Sequence, residues 1–154
     1  MNKDNKFILW FDELGIEDVA LVGGKNASLG EMYRNLTKKE VKIPNGFTVS
    51  AYSYNYFLEK AKIKGELKEI LKGLDTSNIT NLTERGRKAR ETILKAELPN
   101  ELKEEIANAY RKLCKQYGNN TDVAVRSSAT AEDLPTARFA GQQETYLNIR
   151  GEHA

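Results

Sequence analysis

Three short segments carry residue types suited to holding phosphate. The first is Gly23-Gly24-Lys25. Adjacent glycines let the backbone turn tightly and approach a ligand closely. Beyond them Leu29, Met32 and Leu36 recur at spacings of three and four, so a helix should follow the double glycine. The N-terminus of a helix presents N–H groups and a partial positive charge, and Lys25 would add a full, mobile one. The competing reading is an ordinary loop-to-helix junction with a solvated lysine, which a short glycine motif does not exclude. The pattern is not the P-loop, which needs Ser or Thr directly after the lysine where this chain has Asn26.

The second segment runs Val125-Arg126-Ser127-Ser128-Ala129-Thr130-Ala131-Glu132-Asp133. Arg126 is expected where a buried strand emerges, followed by hydroxyls, small residues and two carboxylates. An arginine fork can hold two phosphate oxygens, each charge-assisted bond contributing ~1.5–3 kcal/mol. Equally, Arg126 can pair with Glu132 or Asp133 at the surface for ~0–1 kcal/mol, and residue types alone leave both readings open. The third segment, Gly141-Gln142-Gln143-Glu144-Thr145, is a loop entering a strand. Gln142, Gln143 and Thr145 can bond a base, a ribose or phosphates; a turn whose side chains bond their own backbone is the alternative.

Other candidates carry less. Cys114 is read as a small core filler beside a buried helical stripe. No Cys and His cluster with metal-ligand spacing occurs, so no metal ligand is expected within the chain, and His153 is the only histidine. Trp10 and the aromatics of Tyr52 to Phe57 suit a core better than a stacking platform. The lysines between Ala61 and Lys72 suit a solvated helix face.

Composition bounds the setting of these segments. The chain has 154 residues, 40% apolar and 30% charged, with a formal net charge of +2. That is the profile of a globular chain of one domain. So even a charge balance provides no general field for nucleic acid or an anionic membrane, and any anion site must be local. Phe7 to Phe11 is too short for a signal-peptide core, and no apolar run reaches the ~20 residues of a transmembrane helix. A cytoplasmic location is expected.

The elements that must position the three segments follow from periodicity. Phe7 to Phe11 reads as a strand, Asp12 to Asp18 as a turn or short helical loop, and Phe47-Thr48-Val49 as a strand after the turn signal Pro44-Asn45-Gly46. Ser50 is a candidate N-cap for a helix reaching Ala61, with Tyr54, Phe57, Leu58 and Ala61 on one face. A Lys-rich amphipathic stretch covers Ile63 to Leu74. Ile79, Leu82, Gly86, Ala89 and Ile93 mark a long helix. Pro99-Asn100 opens another with Leu102, Ile106, Ala109, Leu113 and Tyr117 as its buried stripe, ended by Gly118. Asp122 to Val125 and Thr145 to Ile149 read as strands. Strands at both ends and helices between argue for an α+β fold.

Three blocks carry a resemblance. Val22-Gly23-Gly24-Lys25-Asn26-Ala27-Ser28-Leu29-Gly30-Glu31-Met32 and Ile43-Pro44-Asn45-Gly46-Phe47 are similar to motifs of the phosphoenolpyruvate synthases (pyruvate, water dikinases). The block from Val123 to Pro135, running on from Phe139 to Asn148, resembles that family's longest motif, and order and spacing agree. The resemblance covers the chain to about Arg150, giving an ATP-binding lobe over 1–150 and a tail over 151–154 outside the pattern.

The resemblance implies the N-terminal lobe of an ATP-grasp domain, which holds Mg-ATP in a cleft between two lobes. It implies an enzyme that passes the β-phosphoryl of ATP to a histidine on a swivelling domain, releasing AMP and phosphate, and then to pyruvate on a barrel. By carry-over Lys25 and Arg126 contact ATP phosphates, with Gly23, Gly24, Ser127 and Ser128 around them. Gly141, Gln142, Gln143, Glu144 and Thr145 form the loop that closes on the nucleotide. The chain stops where the family continues: the second lobe with its metal-binding carboxylate, the phosphohistidine and the barrel are expected downstream. His153 does not match the phosphohistidine motif, and Arg138 stands where the family more often has a small residue. The fragment alone is expected to be inactive. Pyruvate, phosphate dikinase and antibiotic phosphotransferases use the same lobe, although Asn26-Ala27-Ser28 and Gln142-Gln143-Glu144 favour the synthase. A non-catalytic binding protein is the reading from another class. It predicts a self-contained surface, whereas a half-site leaves an apolar or charged face open for the second lobe.

Overall fold

Short strands form at both ends of the chain, and helices fill the interval between them. The computed structural model describes residues 3–131 and 144–152. In chain order these are β1 (Ile8–Trp10), α1 (Val19–Val22), α2 (Gly24–Leu36), β2 (Phe47–Val49), α3 (Ala51–Lys60), α4 (Lys64–Leu71), α5 (Ile79–Lys95), α6 (Asn100–Tyr117), β3 (Val123–Arg126) and β4 (Thr145–Ile149). Single 3-10 turns lie at Phe11–Glu13, Ile16–Asp18 and Thr37–Lys39. The fold is α+β, and its longer helices fall where periodicity places them, while the four-residue α1 was not foreseen.

The chain divides into two compact units, Met1–Ser53 with Glu104–Ala154, and Tyr54–Lys103. The first unit holds all the strands. β1 and β2 pair antiparallel, with Leu9 opposite Thr48 and Trp10 opposite Phe47. Ser50 ends this sheet and caps α3 together: its Oγ accepts from the Ser53 N–H at 3.2 Å and donates to the Lys6 carbonyl at 2.6 Å. Leu9, Leu14, Val22 and Ala27 form the core beside it, with Phe11, Val19 and Leu21 packed on its margin.

Helix α2 buries a different face from the expected one. Met32 is exposed and Leu29 and Leu36 are only half-buried, whereas Gly24, Ala27 and Gly30 are buried. The cause is close approach: a Cβ on Gly30 would stand 2.4 Å from the Cβ of Leu14, which is itself fully buried. Small residues therefore set the contact face, and the larger apolar ones cover its edges.

β3 and β4 form a second antiparallel pair, with Val123 opposite Ile149, Val125 opposite Tyr146 and Arg126 opposite Thr145. β4 spends one extra residue over this register, and Asn148 adopts φ 58° there, so the pair carries a bulge. The Tyr110 hydroxyl joins both outer ends, donating to the Thr121 carbonyl at 2.8 Å and accepting from the Gly151 N–H at 2.9 Å. The sheet is not the buried one expected from Val123-Ala124-Val125: Ala124, Val125 and Arg126 are exposed, as are Tyr146 and Leu147.

In the second unit Phe57, Leu58, Ile63, Leu67 and Leu102 are buried. Helix α5 starts at an Asn78 cap, whose side chain accepts from the Asn81 N–H at 3.0 Å. Its apolar stripe is more open than expected, Ile79 being 79% exposed and Leu82 also exposed. Tyr54 is exposed too, so one face of α3 is read correctly at Phe57 and Leu58 but not throughout. On α6, Leu102, Ala109 and Leu113 are buried as expected. Tyr117 is exposed, and its hydroxyl accepts from the Asn45 N–H at 2.5 Å.

One buried charge braces the loop that precedes α1. The Asp18 carboxylate accepts from Lys3 Nζ at 2.7 Å and from the Gly15 N–H at 2.9 Å. Burial pushes this carboxyl up, but the bonds from Lys3 and Gly15 and the charges of Lys3 and Arg34 outweigh it and hold it below its usual value. A depressed carboxyl stabilises above its unfolded value of about 4 and loses that contribution as pH falls through the folded one. Asp18→Asn should therefore cost about 1–3 kcal/mol near neutral pH. Denaturant unfolding at descending pH should show the parent and the variant converging in acid.

Candidate functional site

The first two phosphate-type segments, 100 residues apart in sequence, meet in the first unit. Gly23 ends α1, its N–H donating to the Val19 carbonyl at 2.8 Å, and it also serves as the N-cap of α2. It adopts φ 80° and ψ 159°. That conformation is essentially reserved for glycine. It turns the chain so that α2 starts a new axis at Gly24, with the Ala27 N–H returning to the Gly23 carbonyl at 3.1 Å.

The segment leaving β3 lies against this turn. Ser128 Oγ donates to the Val22 carbonyl at 2.9 Å, and Lys25 Nζ donates to the Ser127 carbonyl at 3.3 Å. A Cβ added at Gly23 would stand 2.2 Å from Ser128 Oγ and 2.8 Å from the Ala129 carbonyl oxygen. The glycine is thus needed twice, for its dihedrals and for the approach of the second segment.

The described end of the third segment joins the same place. Thr145 lies opposite Arg126 in the sheet. The Glu144 carbonyl accepts from the Ser127 N–H at 3.5 Å and from Ser127 Oγ at 3.4 Å. The Glu144 carboxylate accepts from the Tyr146 hydroxyl, which raises the pKa of that phenol. Gly141, Gln142 and Gln143 lie outside the described residues, as do Glu132 and Asp133, the expected surface partners of Arg126. Among the described residues no carboxylate stands within ion-pair distance of the exposed Arg126.

Two residues at the site escape a reading by motif. Asn26 Nδ2 donates to the Val22 carbonyl at 3.0 Å and to Thr48 Oγ1 at 2.8 Å. Thr48 is buried on β2. A hydroxyl on the inward side of an apolar strand was the available signal, since a buried polar group requires a partner.

The result is an exposed cation on β3, a second cation in the first turn of a 13-residue helix, and the partial charge of that helix end. Such an arrangement suits a multiply charged anion. Residues 19–154 match the family described as pyruvate phosphate dikinase, AMP/ATP-binding domain. The chain belongs to this family. Its turn at Gly23 and the segment after β3 both fall within the matched region. The chain is similar to the phosphoenolpyruvate synthase of Synechocystis sp., 52% identical over 96% of this chain and 19% of that protein. It is 51% identical to that of Aquifex aeolicus over 98% of this chain and 18% of that protein. To that of Escherichia coli it is 44% identical over 97% of this chain and 19% of that protein. The chain therefore spans about a fifth of the length of these curated relatives.

Gly23→Ala should destabilise the chain by at least about 1–3 kcal/mol from the dihedral strain alone. Gly65→Ala, at a helical glycine whose added Cβ meets nothing within 4 Å, should be neutral or slightly stabilising. Paired thermal melts check both, and equal melting points would refute the steric account of the turn.

Proposed function

We propose that this chain supplies the phosphate-facing lobe of the ATP site of a phosphoenolpyruvate synthase, with the fold of an ATP-grasp N-terminal lobe. The observation that carries the reading is the contact between the Gly23–Lys25 turn and Ser127–Ser128, through Ser128 Oγ on the Val22 carbonyl and Lys25 Nζ on the Ser127 carbonyl. The contact brings the segments that carry Lys25 and Arg126 together, which suits a shared anion. The family membership and the names of the relatives support ATP as that anion.

In this reading Lys25 and Arg126 contact phosphate oxygens, the first turn of α2 and the Ser127 region complete the cradle, and Gly141 to Thr145 close over the nucleotide. Magnesium arrives with the nucleotide; the described residues hold no group of three acidic, His or Cys side chains that would ligate it. In the whole enzyme the β-phosphoryl of ATP passes to a histidine, releasing AMP and phosphate, and then to pyruvate. Those acceptors belong to other parts of the enzyme, so this lobe binds and orients without turning over pyruvate. No helix among the described residues is long and apolar enough to cross a membrane.

The exposed β3–β4 pair favours a half-site over a self-contained binding protein. Tyr146 and Leu147 are 54% and 64% exposed, and Val125 is exposed beside them. A two-stranded sheet with its apolar residues in water is marginal by itself, which supports further chain packing upon it.

Titrating the isotope-labelled chain with Mg-ATP tests the proposal. Saturating amide shifts are expected at Gly23 to Asn26, Arg126 to Ser128 and Glu144 to Thr145. Lys25→Ala should weaken them about tenfold or more, the value of one charge-assisted bond. Unmoved amides at millimolar ATP would overturn the reading for this lobe.

A further inference from the structure

The Val22 carbonyl is where α1 stops, and it receives two side-chain donors from distant parts of the chain. Asn26 Nδ2 reaches it at 3.0 Å from α2, and Ser128 Oγ at 2.9 Å from the segment after β3. A carbonyl oxygen has two lone pairs, so its accepting capacity is filled. Asn26 is itself held, because its second amide hydrogen goes to Thr48 Oγ1 at 2.8 Å. The Thr48 hydroxyl donates onward to the Val49 carbonyl at 3.3 Å. A chain of bonds thus runs from the buried β2 strand, through Asn26 and one carbonyl, to Ser128.

We propose that Asn26, Thr48 and Ser128 are positioning residues. Through the Val22 carbonyl they lock the Gly23–Lys25 turn to Arg126–Ser128, so that both cations meet a polyphosphate as one rigid unit. The proposal rests on the phosphate-site reading and goes further by giving Ser128 a different task. Its proton is committed to Val22, and what remains on its oxygen is accepting capacity, which phosphate oxygens cannot use. Ser128 therefore acts on the nucleotide through the turn rather than by touching it.

Two arguments support locking over simple packing. The last carbonyls of a helix lack intrahelical donors and carry partial negative charge. An open carbonyl at Val22, two residues before the start of α2, would oppose an anion there, and two donors offset that charge. Rigidity also counts directly, since ordering flexible side chains and loops on binding costs affinity. A turn held by its own side chains has lost that freedom beforehand.

The experiment uses Asn26→Ala, Ser128→Ala and the double variant, with Ser128→Thr as the hydroxyl-retaining control, each verified as folded by thermal melting. In the nucleotide-free chain, Ser128→Ala should shift the amide signals of Gly23 to Asn26, and Ser128→Thr should largely restore them. ATP affinity should fall about 3- to 10-fold in each single variant, the range of one hydrogen bond. The double variant should lose clearly less than the product of the single losses, because both side chains act on one carbonyl. Silent Gly23 to Asn26 amides, strictly multiplicative losses, or a Ser128→Thr as weak as Ser128→Ala would each overturn the positioning role. Absence of ATP binding by the parent chain would overturn the phosphate-site reading, and the positioning claim with it. The amide shifts without nucleotide would still report whether the carbonyl links the two segments.

Discussion

A single backbone conformation, φ 80° and ψ 159° at Gly23, decides how the phosphate-type segments meet. It ends α1 at Val22 and starts α2 at Gly24 on a new course. A continuous helix through this point would have bonded the Val22 carbonyl within itself. The break leaves that carbonyl to side chains, and Asn26 and Ser128 take it. It also puts Lys25 into the first turn of a long helix, where a cation and the helix dipole add rather than cancel in their pull on an anion. The missing Cβ then admits Ser128 and Ala129 at distances no side chain would tolerate.

Placing positive charge at one point would be costly in a buried site, but this site is open. Lys25 is half-buried and Arg126 exposed, so neither carries the full desolvation cost of a buried charge. With a net charge of only +2 the rest of the molecule adds little long-range field. An anion held here would therefore be attracted at short range and by geometry, through the hydrogen bonds that hold the turn more than through total charge.

Much of this was legible in the sequence. Period located the longer helices, and the cap at Ser50 and the stop at Gly118 are local chemistry, whereas the four-residue α1 and the Asn78 cap were not foreseen. The glycine and arginine segments stood out by residue character, with an anion site and an ordinary surface junction both open at that level. Burial was less legible. Leu29 and Met32 looked like the inner face of α2, yet Gly30 lies there because Leu14 comes so close. Val125 looked like a core strand residue and is exposed. Periodicity reports which residues share a face, not whether anything covers it. The bonds of Asn26 to Thr48 and of Ser128 to Val22 span 22 and 106 residues, and no local pattern encodes such separations.

The two strand pairs of the first unit are held in different ways. The β1–β2 pair is anchored: Leu9 and Thr48 are buried, and Ser50 and Ser53 bond back to Lys6 and Phe7. The β3–β4 pair is held at its edges, by Tyr110 at its outer end and by Ser127 and Ser128 at the other, while its middle faces water. The bulge at Asn148 breaks the register between the two fastened ends. Lys25 follows the turn at Gly23 and Arg126 precedes Ser127, so the carbonyl of Val22, bonded from both sides, is the point at which the segment after β3 takes its position against the core.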